Sequence, residues 1–298
     1  MSYIGRFAPS PTGPLHMGSL VAAVASYLQA RSKQGQWLLR IEDLDPPREI
    51  AGATDDIIRT LDEFGFEWDG EIIRQSNRAD LYLQALDELS KQDHIYPCTC
   101  SRSDIKKTAQ PGPYCLRYAG TCREGVHTPE KTHSLRLKTP DENIGFNDYI
   151  QKHYQQNLNR DIGDFIVKRA DGQFAYQLAV VVDDAEQNIS EIVLGSDLLD
   201  STPRQIYIQK ILSLPQPDYA HIPVIVNADN EKLSKQTMAS PVKKNEAARN
   251  LYTALNYLEQ RPPGELQNAA ITELWDWAIS HWDIDNISSR LTIEEQAP

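Results

Sequence analysis

Residues 6–18 read Arg6-Phe7-Ala8-Pro9-Ser10-Pro11-Thr12-Gly13-Pro14-Leu15-His16-Met17-Gly18, or RFAPSPTGPLHMG. Three prolines, two glycines and a histidine stand between an apolar strand, Tyr3 to Phe7, and a helix. The spacing of Leu20, Val24, Tyr27 and Leu28 predicts that helix over Ser19 to Ser32, with Gly35 as a stop just beyond. A plain turn needs far fewer residues. Prolines stiffen the loop, Gly13 permits unusual backbone angles, and Gly18 lets a flat group approach the helix. A helix N-terminus carries unsatisfied N–H groups and partial positive charge, which suits phosphate. His16 can donate a hydrogen bond to charge developing there. The stretch reads as a rigid cradle for ATP.

Outward from the cradle, Trp37 to Ile41 reads as a second strand, closed by the turn Asp43-Leu44-Asp45-Pro46-Pro47. Thr54 to Phe64 and Tyr82 to Leu89 have helical spacing. Strand, helix, strand, helix is the rhythm of a parallel α/β sheet. A segment rich in Pro, Gly, Thr and Arg, about 93 to 127, breaks it as an insertion. Regular structure returns with Phe165 to Arg169, a turn at Asp171-Gly172, and an apolar strand from Phe174 to Val182 that Asp183 and Asp184 follow. Pro203 to Leu212 is expected to be a helix capped by Thr202, and Ile222 to Val226 a strand. After about 241 the chain reads as helical, with Leu251, Leu255 and Leu258, then Trp275, Trp277 and Trp282. The expected parts are a first catalytic half over 1–92, a metal-binding insertion over 93–127, the remainder of the insertion and a second catalytic half over 128–240, and a helical C-terminal region over 241–298.

The 298 residues suffice for one large domain or two small ones. Hydrophobic residues make up 40% of them, and no apolar run approaches the roughly 18 that span a membrane. The start, MSYIGRFAPS, has no basic stretch followed by an apolar one, so no secretory signal and a cytoplasmic location are expected. A net charge of -12 excludes a nonspecific nucleic-acid coat but not a local basic face. Cys98, Cys100, Cys115 and Cys122 all lie in the insertion, and in a reducing cytosol such clustering favours metal over disulfides.

Far downstream stands Glu231-Lys232-Leu233-Ser234-Lys235-Gln236, two lysines three apart after a strand. Lysine is a mobile point charge able to follow a triphosphate under attack. With both segments in view, the sequence resembles the class I aminoacyl-tRNA synthetases: PLHMG has the form of their HIGH motif and KLSKQ that of KMSKS. RFAPSPTGPLHMGSL, LLRIEDLDPPR and GSDLLDSTPRQIYIQ resemble the glutamyl-tRNA synthetase subfamily. The resemblance covers residues 1 to about 240. About 60 residues follow Lys235, where full glutamyl-tRNA synthetases carry a large anticodon-binding part. That shortness resembles the truncated branch of the subfamily, the glutamyl-queuosine tRNA(Asp) synthetases.

The resemblance implies a Rossmann-like catalytic domain that activates L-glutamate with ATP, without tRNA. Glutamate then passes to the queuosine base in the anticodon of tRNA(Asp). Glutamate contacts fall on Arg6, Ala8, Ser10, Glu42 and Tyr176, ATP contacts on His16, Gly18 and Lys235, and catalysis on His16, Lys232 and Lys235, with Mg²⁺ on the leaving pyrophosphate. The chemistry agrees: a guanidinium such as Arg6 forks onto carboxylates, and Glu42 at a strand end can receive an ammonium. A monomer without membrane contact is expected. One position departs: the family has arginine before Gly195, and here stands Leu194. Loss of one charged hydrogen bond, about 1.5–3 kcal/mol, weakens glutamate binding unless another base such as Arg204 replaces it.

Zinc takes four ligands in a tetrahedron. Spacing alone selects Cys98, Cys100, Cys115 and Cys122; the resemblance implies Cys98, Cys100, Tyr118 and Cys122, so the fourth ligand stays open between Cys115 and Tyr118. Its role would be structural. Arg102, Lys106, Lys107, Arg117 and Arg123 make this segment basic, as an RNA backbone would require. Three other readings compete: a compact glutamyl-tRNA synthetase charging a 3′ end, a nucleotidyltransferase adenylating a small acid, and a noncatalytic tRNA-binding paralogue. Intact His16, Gly18, Lys232 and Lys235 weigh against the last.

Overall fold

Strand β1 (Ile4–Phe7) leads through the proline-rich loop into α1 (Met17–Ser32), and β2 (Gln36–Ile41) returns parallel to β1, Ile4 beside Gln36 and Phe7 beside Leu39. The structure, a computed structural model, describes residues 2–113, 116–126, 131–233 and 240–295. Helix α2 (Ala53–Glu63) and the short β3 (Ile73–Arg74), parallel to β2, extend this half, and α3 (Ala79–Lys91) follows. The insertion begins with β4 (Ile95–Cys98) and α4 (Arg102–Thr108), and its two-residue strands β5 (Gln110–Pro111) and β6 (Leu116–Arg117) form a small antiparallel pair. Next come β7 (Ser134–Leu137), the antiparallel pair β8 (Asn143–Asp148) and β9 (Lys152–Asn157), α5 (Leu158–Asp161) and β10 (Phe165–Lys168). Strand β7 lies between β4 and β10, antiparallel to both.

The second half runs α6 (Tyr176–Glu186), β11 (Glu191–Gly195), α7 (Thr202–Ile211), β12 (Asp218–Ile222), parallel to β11, and β13 (Val224–Val226). Strands β1 and β11 lie side by side, with the Ser190 N–H donating to Ile4 O at 2.9 Å. The chain closes with α8 (Ala247–Tyr257), α9 (Ile271–His281) and β14 (Thr292–Glu294), which pairs in parallel with β13. Among the described residues no helix is long and apolar enough to cross a membrane.

Helix α1 is buried on more faces than its predicted stripe. Besides Leu20, Val24, Tyr27 and Leu28 it hides Val21, Ala23, Ala25 and Ala30, because the sheet covers one side and α8 and α9 the other. Tyr27, Trp37, Phe66 and Trp275 meet in one aromatic cluster there, and Trp275 Nε1 donates to Phe64 O at 2.9 Å.

Several expectations are corrected. The apolar run 174–182 is not a strand: Tyr176 opens a helix, because a short apolar run buried on all sides has no period to separate strand from helix. Thr202 is not a cap. Ser201 holds the cap position, and Thr202 Oγ1 instead lies 3.0 Å from His221 Nε2. Pro223, with no N–H, splits the strand predicted over 222–226 into β12 and β13. The C-terminal region is helical but ends in β14. The turn after α1 is made at Gln34 in the left-handed conformation (φ 54°), while a Cβ on Gly35 would lie 2.6 Å from Tyr3 O. Gly35 serves close approach rather than the helix stop.

Candidate active site

The carboxyl ends of β1, β2, β11 and β12 open on a cleft of about 770 Å³. In open α/β sheets this is where ligands bind. Arg6, Ala8, Ser10, His16, Gly18, Glu42, Tyr176 and Lys232 all line it. Lys235 lies outside the described residues. Leu194 lines the cleft as well. Arg204 does not replace the missing base: its guanidinium donates to Ser201 Oγ at 2.9 Å and to Asp200, away from the lining. Arg48, exposed and paired with Asp45, also lines the cleft.

His16 is the N-cap of α1. Its Nδ1 accepts from the Ser19 N–H at 3.3 Å, and its Nε2 lies 3.0 Å from Ser19 Oγ. This fixes the ring over the first turn of the helix. A Cβ on Gly18 would stand 3.2 Å from the His16 ring and 3.6 Å from Leu233 O, so the glycine keeps the early turn and the late lysine segment in contact. The same seam is sewn on its other side, where the Val242 N–H donates to Leu15 O at 2.9 Å and His16 bridges Pro241. Lys232 follows a tight reversal in which Asn227 Oδ1 accepts from Asp229 and Glu231, and its ammonium is paired with Asp197 on the facing wall.

A buried charge network supports the opposite side. Arg6 forks onto Asp184, Nε to Oδ1 at 3.0 Å and Nη2 to Oδ2 at 3.2 Å. Arg6 is therefore committed in part to an internal carboxylate rather than wholly to a ligand. Arg40, completely buried, reaches Asp184 at 2.8 Å and Glu42 at 3.4 Å. Asp183 accepts from Gln75 at 2.7 Å, Arg78 at 2.6 Å and Tyr82 at 2.8 Å. Asp183 and Asp184, consecutive on α6, are thus structural anchors of the wall, each with its own set of partners. Burial alone would push the Asp184 carboxyl up, but Arg6 and Arg40 together hold it below the usual range. Glu42 goes the other way: burial outweighs Arg40 and Arg6 and lifts its carboxyl to about 7. Tyr176, whose phenol is also raised by burial and then by the Glu42 charge, completes the pocket beside it. Arg40 was missed by sequence reasoning, although a charge inside the apolar strand Gln36–Ile41 signals a buried partner.

In the insertion the Cys98, Cys100 and Cys122 sulfurs lie within 4.8 Å of one another. Tyr118 Oη is 3.3 Å from Cys98 Sγ and 3.5 Å from Cys100 Sγ, and accepts the Cys122 N–H at 3.0 Å. Cys115 lies outside the described residues. Metal–sulfur bonds of about 2.3 Å place tetrahedral ligands about 3.8 Å apart, so three thiolates and a phenol at these spacings could hold a metal ion. Arg136 stiffens the group from behind, Nε 3.2 Å from Cys98 Sγ and its guanidinium 3.8 Å above the Tyr118 ring. Of the predicted basic residues, Arg117 and Arg123 bond internally, to Gln110 and Asn159 and to Asp164 and Thr139. Arg102, Lys106 and Lys107 are exposed on α4.

A family model described as the catalytic domain of class I tRNA synthetases (E and Q) matches residues 4–260. A glutamyl-Q tRNA(Asp) synthetase of Aromatoleum aromaticum is 49% identical over 292 residues, which cover 98% of this chain and 92% of that one. One of Neisseria meningitidis is 51% identical over 288 residues, covering 96% and 97%. The solved glutamate-tRNA synthetase of Elizabethkingia anophelis has a TM-score of 0.79 at 22% identity, over all of this chain and 68% of its own, a likeness of fold.

Proposed function

We propose, from the premise that this chain belongs to the class I tRNA synthetases of the glutamate and glutamine type, that it is a ligase that activates L-glutamate with ATP and transfers it to the queuosine base of tRNA(Asp). One observation carries the activation step: the histidine–glycine turn, Lys232, Glu42 and Tyr176 line a single cleft at the strand ends. The acceptor follows from the name shared by relatives about 50% identical over nearly the whole chain.

In this reading Glu42 receives the α-ammonium of glutamate, and Tyr176 packs beside it. A free nitrogen of Arg6 and the exposed guanidinium of Arg48 offer charge to the carboxylates, where Leu194 offers none. The α-carboxylate attacks the α-phosphorus of ATP. A phosphorus–oxygen bond forms and the bond to pyrophosphate breaks, so that pyrophosphate leaves; Mg²⁺, when bound with ATP, would supply further neutralisation of the phosphate charge. His16 and the first turn of α1 stabilise the charge that develops, and Lys232 exchanges Asp197 for phosphate oxygen, with Lys235 as its companion. In the transfer a nucleophilic hydroxyl of queuosine bonds to the glutamyl carbonyl carbon and gives up its proton, while the acyl–phosphate bond breaks and AMP leaves. Zinc on Cys98, Cys100, Cys122 and a fourth ligand would stiffen the insertion.

Labelled glutamate and ATP, incubated with tRNA from cells that make queuosine and from cells that do not, test this. Label is expected only on the first. Label on both would point to 3′ charging, exchange of pyrophosphate without transfer to an adenylating enzyme that uses no RNA, and no exchange to a noncatalytic paralogue.

A further inference from the structure

Strand β14 contributes no residue to the reaction described above, yet its segment is tied to both walls of the cleft. Val224 pairs with Thr292, Ile225 with Ile293 and Val226 with Glu294. The Val224 N–H donates to Leu291 O at 3.0 Å and the Glu295 N–H to Val226 O at 2.7 Å. Ser196 Oγ donates to Leu291 O, and Gln151 Nε2 bonds His221 O at 2.9 Å and Arg290 O at 3.3 Å. On its other edge β13 bears the lysine segment: the Leu233 N–H donates to Ile225 O at 2.9 Å, and Val226 and Lys232 form an antiparallel bridge.

We propose that residues 290–295 position Lys232 for ATP, acting through the backbone; the proposal rests on the reading of the cleft given above. Lys232 hangs from β13, which β14 holds in place. Its partner Asp197 follows Ser196, which bonds the same segment at Leu291. One short strand therefore sets both members of the ion pair. A three-residue strand paired along one edge alone is a weak support, and pairing on both edges removes that freedom. The side chains of Leu291, Thr292 and Glu294 are exposed, so main-chain bonds do the holding, and half-buried Ile293 packs against the main core as the anchor.

The test uses the full chain with Ile293→Pro, which breaks the ladder at its centre, and Glu295→Pro, which deletes only the amide that reaches Val226. Glu294→Ala, at an exposed side chain, is the control. In pyrophosphate exchange KM for ATP is expected to rise about tenfold in Ile293→Pro, the equivalent of about one net hydrogen bond. It should rise less in Glu295→Pro, with KM for glutamate within twofold and Glu294→Ala unchanged. Hydrogen exchange at the Leu233 amide should quicken in the same order. Both Michaelis constants rising together, or an unchanged Leu233 amide in a folded proline variant, would overturn the proposal. If Ile293→Pro does not fold, Glu295→Pro decides by the same two readouts. If the parent protein supports no exchange with glutamate, the assigned reaction fails, and the Leu233 amide alone decides whether the strand holds the segment.

Discussion

Glu42 stands 3.4 Å from Arg40 in a wall where burial, against the pull of Arg40 and Arg6, lifts its carboxyl to about 7. Between its ordinary value of 4.5 and about 7 the folded protein holds a proton that the unfolded chain has lost, so the contribution of Glu42 to stability falls as pH rises through that window. Binding of an ammonium needs the opposite form, the ionised carboxylate. KM for glutamate is therefore expected to fall as pH rises from about 6 to about 8 and then level off. Glu42→Gln should raise KM by about 10–100-fold and remove that dependence, the loss of one charged hydrogen bond. Exchange kinetics across pH check both, and an unaltered pH profile in the variant would assign the titration elsewhere. That Glu42 and Tyr176 would lie at the cleft could be read from the short motifs around them. The places of Arg40, Asp183 and Asp184 could not, because a buried ion network joins residues more than a hundred positions apart and leaves no local period in the sequence.

At the scale of elements, β1, α1, β2 and α2 could be read because their apolar residues recur at strand or helix spacing and proline and glycine mark the ends. The run at 174–182 could not, since Leu178, Ala179, Val180 and Val181 are all buried and any regular structure would satisfy them. What decides is the far end of the run: only a helix turns Asp183 and Asp184 back toward Arg78, Arg6 and Arg40 while Tyr176 reaches the cleft. The insertion offers a test of its own. Its two-residue strands are too short to stand alone, so a bound metal should carry much of their order. The purified protein is expected to contain about one zinc ion per chain, and chelation should lower its melting temperature. Cys100→Ser should lose the metal. Tyr118→Phe should retain it more weakly; metal binding as tight as in the parent would give the fourth position to Cys115.

For the molecule as a whole, the C-terminal helices complete the core of the first half. Leu251, Leu255 and Leu274 share that core with Leu20, Leu28 and Trp37, and Trp275 seals it against Tyr27 and Phe66. Trp275→Ala is expected to cost about 3–5 kcal/mol in denaturant unfolding, within a single transition for α1, α8 and α9 together. A separate early transition would show that α8 and α9 fold apart. Sequence patterns located these helices but not their partner, since packing between distant segments is invisible in a single chain. The chain carries a net charge of -12, Arg6, Arg40 and Arg78 are locked onto buried carboxylates, and α4 holds the exposed cations Arg102, Lys106 and Lys107. A polyanion arriving from solution meets a protein of net negative charge and, at α4, three exposed cations close together. Local attraction of that kind favours encounters in which α4 faces the incoming polyanion.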